Sequence, residues 1–322
     1  PPPPGFVEAV ARAALTVDWN RYPDRSARHL RSALAQRYDV TPEQVFAANG
    51  SNEVLQSLLL AYGGEGRSVA VFEPTYAMYS QIARTTGTRL VKGRRAADFS
   101  LDSSSARQLV LEERPDVVIL CSPNNPTGTP AANGLVVDLE KAVGSYGGLL
   151  VLDEAYGEFA PEGAAGLVSE DRCVVVSRTF SKTWAMAGAR LGYLIAPTWC
   201  VAELEKVALP YHLDALKLEI GVLALGYVDA MRERVERLVA ERERMATALD
   251  GLEVTTWPSA ANFILLRPDS RPGREVWQDL VERSVLVRDF TTMPCLEECL
   301  RVTIGSRVEN DRFLDALREV LR

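Results

Sequence analysis

Histidine is scarce in this chain of 322 residues: only two are present, His29 and His212. His29 lies in a charged amphipathic stretch and His212 follows Pro210-Tyr211, so neither sits in a setting that suggests a Ser-His-Asp triad. Five cysteines, Cys121, Cys173, Cys200, Cys295 and Cys299, are scattered and odd in number. That usage excludes a disulfide scaffold and reads as reduced cytosolic thiols, so a cytoplasmic setting is expected. With so few histidines, Cys295 and Cys299 do not make a zinc site, and no metal is expected. No apolar run approaches the roughly 18 residues of a membrane span, and no signal peptide is seen. Positive charge is not in excess either. The net charge is −7, which argues against a general nucleic-acid or anionic-membrane binder. Gly63-Gly64-Glu65-Gly66 is not a GxGxxG fingerprint and follows a helical stretch rather than a strand, which weighs against a dinucleotide fold.

What is present is an ordinary globular balance, 47% hydrophobic and 25% charged, in a chain long enough for a large domain and a smaller one. Apolar spacing predicts helices over Phe6 to Val17 and Ser26 to Tyr38, with the polar turn Asn20-Arg21-Tyr22-Pro23-Asp24 between them. Ala48-Asn49-Gly50-Ser51-Asn52-Glu53 reads as a helix start. Predicted strands and helices then alternate, with strands at Ser68 to Phe72, Arg89 to Lys92, Asp116 to Cys121, Leu149 to Asp153 and Cys173 to Ser177. Gly192 to Ala196 is expected as an edge strand. This alternation predicts an α/β fold, a mostly parallel sheet flanked by helices. Leu213 to Leu249 reads as long helical material. From about Gly251 the order changes to that of a smaller α+β domain. The expected division is an N-terminal segment at 1–20, a large domain at 21–250 and a small C-terminal domain at 251–322.

Three predicted strands end in unusual chemistry. DVVILC ends in Ser122-Pro123-Asn124-Asn125-Pro126-Thr127-Gly128, LLVL in Asp153-Glu154-Ala155-Tyr156, and CVVV in Ser177-Arg178-Thr179-Phe180-Ser181-Lys182. Singly, these read as a turn, a cap and a solvated lysine. In a parallel sheet, however, strand carboxyl ends share one edge, where ligands bind. Lys182 and the nearby Arg190 would repel unless something anionic sat between them. Arg301, in Leu300-Arg301-Val302-Thr303-Ile304, is an arginine inside an apolar strand and is costly there unless paired.

The segments SPNNPTG, DEAY and SRTFSK followed by AGARLGY resemble the fold-type I, pyridoxal-phosphate-dependent aminotransferases. RYPD, AANGSNEVLQ, PTYAMY, LPYHL and CLRVTIG resemble the histidinol-phosphate aminotransferases among them. The likeness runs from Pro1 to the C-terminus. It implies pyridoxal 5'-phosphate as cofactor, histidinol phosphate and glutamate or 2-oxoglutarate as substrates, a role in histidine biosynthesis, and a homodimer with shared active sites.

By the same resemblance, Lys182 would hold the cofactor covalently and then act as the base on the substrate. Asp153 would face the pyridine nitrogen and keep it protonated; at an effective dielectric near 20, a carboxylate about 4 Å away is worth roughly 4 kcal/mol. Tyr156 and Asn125 would bond the ring's phenolic oxygen, and Tyr76 would stack on the ring. The cofactor's phosphate would be the anion between Lys182 and Arg190. It would be held by Arg190, the Thr179 and Ser181 hydroxyls, the N–H groups of Ser51 and Asn52 at a helix N-terminus, and Tyr22 from the other subunit. Asn125, Arg288 and Arg301 would bind substrate; a salt bridge from Arg288 to neighbouring Asp289 or another acid is the alternative reading of Arg288. Members of the family carry an N-terminal arm just before a proline-rich segment like Pro1 to Pro4. Residues 1–20 are therefore expected to be what remains of that arm together with part of the small domain. Three other readings share these residues: an aromatic aminotransferase, a pyridoxal-phosphate decarboxylase of a phosphorylated amino acid, and a non-catalytic cofactor-binding regulator.

Overall fold

The computed structural model describes residues 1–161 and 163–322. Helices α1 (Phe6–Thr16) and α2 (Arg28–Tyr38) precede the short strand β1 (Val45–Ala48), which runs into α3 (Ser51–Tyr62). There follow β2 (Ser68–Glu73), α4 (Met78–Thr85), β3 (Arg89–Arg94), α5 (Ser103–Glu113), β4 (Val117–Cys121), α6 (Asn133–Gly144), β5 (Leu149–Asp153), β6 (Val174–Thr179) and β7 (Gly192–Ile195). Among the described residues these strands form a seven-stranded sheet in the order β1-β7-β6-β5-β4-β2-β3. Neighbouring strands from β6 to β3 pair in parallel, as expected for strands joined through helices, whereas β7 runs antiparallel to both β1 and β6. The Gly192 segment is thus an interior strand, not the edge strand expected from the sequence. Its partner β1 is only four residues long and is fully buried.

Side chains alternate across the sheet with a period of two. Leu150, Leu152, Val174 and Val176 face one core with α2, α5 and α6, whereas Leu149, Val151 and Val175 face another with α3 and α4. The same alternation sends Asp153 to the α3/α4 face and Glu154 to the opposite one. On that opposite face Glu154 is ion-paired with the buried Arg178. Helix α7 (Thr198–Val207) closes the α3 side.

The long helical stretch breaks at Gly226-Tyr227 into α8 (Ala215–Leu225) and α9 (Val228–Leu249). Met231 of α9 packs in the larger sheet's core, and Met245 and Leu249 in a separate core over the second sheet. That sheet comprises β8 (Val254–Thr256), β9 (Phe263–Pro268), β10 (Arg288–Asp289) and β11 (Leu300–Thr303), all antiparallel in the order β10-β11-β9-β8. Helices α10 (Gly273–Glu282) and α11 (Arg307–Val320) cover it. Phe6 is the buried residue of α1; it packs in the larger core and meets Tyr227 edge-on at 5.6 Å, with the partly buried Val10 against the same core.

Candidate active site

Beyond the carboxyl ends of β4, β5 and β6 lies a cavity of about 380 Å³. Strand ends and the loops after them supply Cys121, Asn125, Asp153, Tyr156, Thr179, Ser181 and Lys182. The first turn of α3 supplies Ser51 and Asn52, the approach to α4 supplies Thr75 and Tyr76, the second sheet supplies Arg288 and Arg301, and the loop after β10 supplies Phe290 and Met293. All but one of the site residues expected from the sequence therefore converge here. The exception is Tyr22, which is exposed and stacks on Tyr211 with centroids 4.6 Å apart.

At one end the cavity is built to hold an anion. The first N–H groups of α3 have no acceptor within the helix, and its cap Gly50 offers no side-chain oxygen. Gly192 lets this helix end approach the sheet: a Cβ there would stand 2.4 Å from the Ser51 nitrogen. Gly50, at φ +83°, has no room for one either, since the Arg190 guanidinium would lie 2.8 Å away. Arg190 donates to the Ser181 hydroxyl at 3.2 Å, and Thr179 donates to the same oxygen at 3.0 Å.

At the other end Asp153 is 2% exposed. It accepts hydrogen bonds from the Ala155 N–H at 3.1 Å and the Tyr79 hydroxyl at 2.6 Å. Burial pushes its pKa up, against the pull of these donors. The Tyr76 hydroxyl reaches Asn52 at 3.3 Å. Lys182 is half-buried, with its amine 5.2 Å from the Tyr156 ring centre. Desolvation lowers its pKa, and Arg301 and Arg190 lower it further by repulsion.

On the third side Arg301 and Arg288 are register partners on neighbouring strands. Arg301 donates to Asn125 at 2.5 Å and lies against the Phe263 ring at 4.6 Å, yet its Nε is buried without a partner. Asp289 does not pair with Arg288. It binds Arg274 instead, because β10 turns the two neighbouring side chains to opposite faces.

Sequence reasoning missed Thr75, Cys121, Phe290 and Met293 among the lining residues, and Tyr79 just behind it. Tyr79 lies in the first turn of α4, three residues after Tyr76 on the approach to that helix, and no local pattern singles it out.

The aminotransferase class I and II family model matches residues 2–317. The chain belongs to that family. Histidinol-phosphate aminotransferases are similar to this aminotransferase over almost all of its length. The one from Frankia casuarinae is 43% identical, covering 100% of this chain and 83% of that relative. The one from Thermobifida fusca is 44% identical, covering 98% and 86%. Among solved structures, histidinol-phosphate aminotransferase from Sinorhizobium meliloti in complex with pyridoxal 5'-phosphate matches this aminotransferase with a TM-score of 0.90 at 26% identity, over 100% of this chain and 88% of that one.

Proposed function

We propose that this aminotransferase moves the amino group of histidinol phosphate to 2-oxoglutarate, with pyridoxal 5'-phosphate as its cofactor and within histidine biosynthesis. The observation that carries the substrate assignment is the pair Arg288 and Arg301. They are two guanidinium groups on adjacent strands at the cavity wall, one with an unpartnered buried Nε. Such a pair calls for an oxyanion, and a planar guanidinium accepts a phosphate or a carboxylate equally well. The 43% and 44% identity to relatives named for that activity supports the same reading.

The residues present fit the cofactor. The free N–H groups of α3, the Thr179 and Ser181 hydroxyls and Arg190 would hold its phosphate. Asp153 would accept a hydrogen bond from the ring nitrogen, and Tyr156 and Asn125 would face the ring's oxygen. Tyr76 would cover one ring face. When bound, pyridoxal phosphate supplies an electron-withdrawing ring that takes up negative charge from the substrate carbon. Lys182 would hold it through Nζ and, with its amine free, would take the proton from the substrate carbon and deliver it elsewhere in the site. Its depressed pKa leaves more of the amine unprotonated for both tasks. Arg301 and Arg288 orient the far end of the substrate. Tyr22, exposed on its own subunit, reaches the phosphate site of a second subunit in a homodimer. The proposed setting is the cytoplasm, in keeping with five cysteines that form no disulfide among the described residues.

The test is the spectrum of purified protein loaded with pyridoxal phosphate, recorded before and after L-glutamate in one sample and L-histidinol phosphate in a separate one. Each amine should convert the absorbance to that of the aminated cofactor, with 2-oxoglutarate released from glutamate. Release of carbon dioxide instead, or no response to histidinol phosphate, would refute the assignment.

A further inference from the structure

Asp153 is a carboxylate in a dry place with only neutral hydrogen-bond partners, the Ala155 N–H and the Tyr79 hydroxyl. The Tyr79 bond is the shorter at 2.6 Å, the length of a charge-assisted bond from a hydroxyl to an ionised acid. Tyr79 itself is fully buried in the core between α4 and the sheet. It does not reach the cavity, but it packs edge-on under Tyr76, which does, with centroids 5.5 Å apart and planes at 85°. A buried phenol needs an acceptor, and here the acceptor is the one acid in the cavity wall among the described residues.

We infer that Tyr79 is a positioning residue for Asp153: its hydroxyl aims the carboxylate into the cavity and keeps it ionised, ready to hold a proton on a ring nitrogen. The inference rests on the cofactor reading above for its last clause only. The other groups around Asp153 leave this task to Tyr79. Cys121, on β4, is pushed by burial up to about 12 and stays a neutral thiol. Tyr76 and Tyr156 are raised by burial and stay neutral phenols. Glu154 turns to the opposite face and is held by Arg178. Arg95, in the loop after β3 and near Cys121, is lowered by burial to about 10 and remains a cation, engaged with the Phe72 and Phe99 carbonyls. Lys182 favours the Asp153 charge across the cavity but must be free to give up its proton. Tyr79 is raised well above an ordinary phenol, so it donates throughout the working range.

Tyr79→Phe removes one oxygen and keeps the ring. The cofactor-free wild type and variant are titrated with pyridoxal 5'-phosphate by fluorescence quenching across about pH 5 to 9. The expected result is roughly tenfold weaker binding at neutral pH, with the acid limb of the affinity profile moved up by about one pH unit. That is the size of one hydrogen bond to a charged group. The direction follows from losing a donor to the ionised form: Asp153 then protonates at higher pH. A second readout needs no cofactor. With side-chain-labelled aspartate, the infrared band that disappears in Asp153→Asn should titrate at higher pH in Tyr79→Phe than in wild type. An unchanged midpoint overturns the inference. A wild type that binds no pyridoxal phosphate overturns the cofactor reading, and the infrared midpoint still decides the role of Tyr79. Should Tyr79→Phe fail to fold, the cofactor-free wild type decides: a downfield hydroxyl proton in its NMR spectrum should shift as Asp153 titrates, and the absence of such a signal overturns the inference.

Discussion

Lys182 holds its amine where charge is unwelcome, half-buried and facing two guanidinium groups. Its folded pKa lies below the ordinary value of 10.5, so unfolding takes up a proton between the two values. Stability then rises with pH through that window, and below it the cost of the desolvated ammonium is fully present. Lys182→Met should therefore stabilise the cofactor-free protein at neutral pH, with a Tm rise on the order of 2 °C, the usual direction when a catalytic group is removed. The gain should shrink as pH approaches 10.5, and calorimetry at several pH values checks both parts. The same variant should lose essentially all turnover. At the other wall Arg301 makes a bond to Asn125 and leaves Nε unpartnered, whereas Arg288 is exposed and has no carboxylate partner among the described residues. Arg301→Gln should lower kcat/KM by about 2–5 kcal/mol with both amino donors, the cost of losing a buried charged partner. Arg288→Gln should affect the phosphate-bearing donor more than glutamate. Single-turnover rates with each donor separate the two, and an Arg301→Gln enzyme of wild-type efficiency would remove the substrate site from this wall.

At the scale of elements, the anion end depends on how closely α3 approaches β7. Gly192→Ala places a methyl group 2.4 Å from the Ser51 nitrogen, against backbone that cannot swing aside as a side chain would. Overpacking of this kind costs about 1–3 kcal/mol. The displaced helix end should weaken pyridoxal phosphate binding at least tenfold, whereas phosphate-free pyridoxal should lose much less; equilibrium dialysis of both compounds tests this. The approach itself was not legible in the sequence. AANGSNE announces a helix start, and α3 does begin at Ser51. The four residues before it, Val45 to Ala48, are too few to show a period, and they become strand β1 only by pairing with β7 about 150 positions later, Val45 opposite Ile195. For the same reason the Gly192 strand reads as an edge until its second partner is known. The two-residue β10 and three-residue β8 likewise owe their existence to neighbours rather than to local propensity. Longer buried strands such as β4 and β5 were visible because continuous apolar runs bounded by turn residues need no partner to be recognised.

For the whole molecule, the arrangement to test is the sharing of Tyr22 between subunits. It is exposed and stacked on Tyr211, outside the cavity formed by its own chain. If two copies share their sites, mixing a Tyr22→Phe variant with Lys182→Ala should restore activity toward a quarter of wild type, because half of the dimers are hybrids and each hybrid has one intact site. Verified hybrids without regained activity would mean that Tyr22 acts in its own subunit or not at all. The amino-acid sequence alone determined the chemistry available and its order along the chain: a lysine among hydroxyls after one strand, an acid after another, an asparagine-proline loop after a third, and an arginine in an apolar strand. These are local patterns, and the parallel arrangement of α/β units brings strand ends to one edge without further information. Only the tertiary structure decided what each group meets. Tyr79 finds Asp153 across 74 positions and Asn125 finds Arg301 across 176. Asp289 turns away from Arg288 to Arg274, leaving two guanidinium groups side by side. Such partnerships are set by strand register and helix packing, in which shifting a strand by one residue sends every side chain to the other face. No local pattern carries that register.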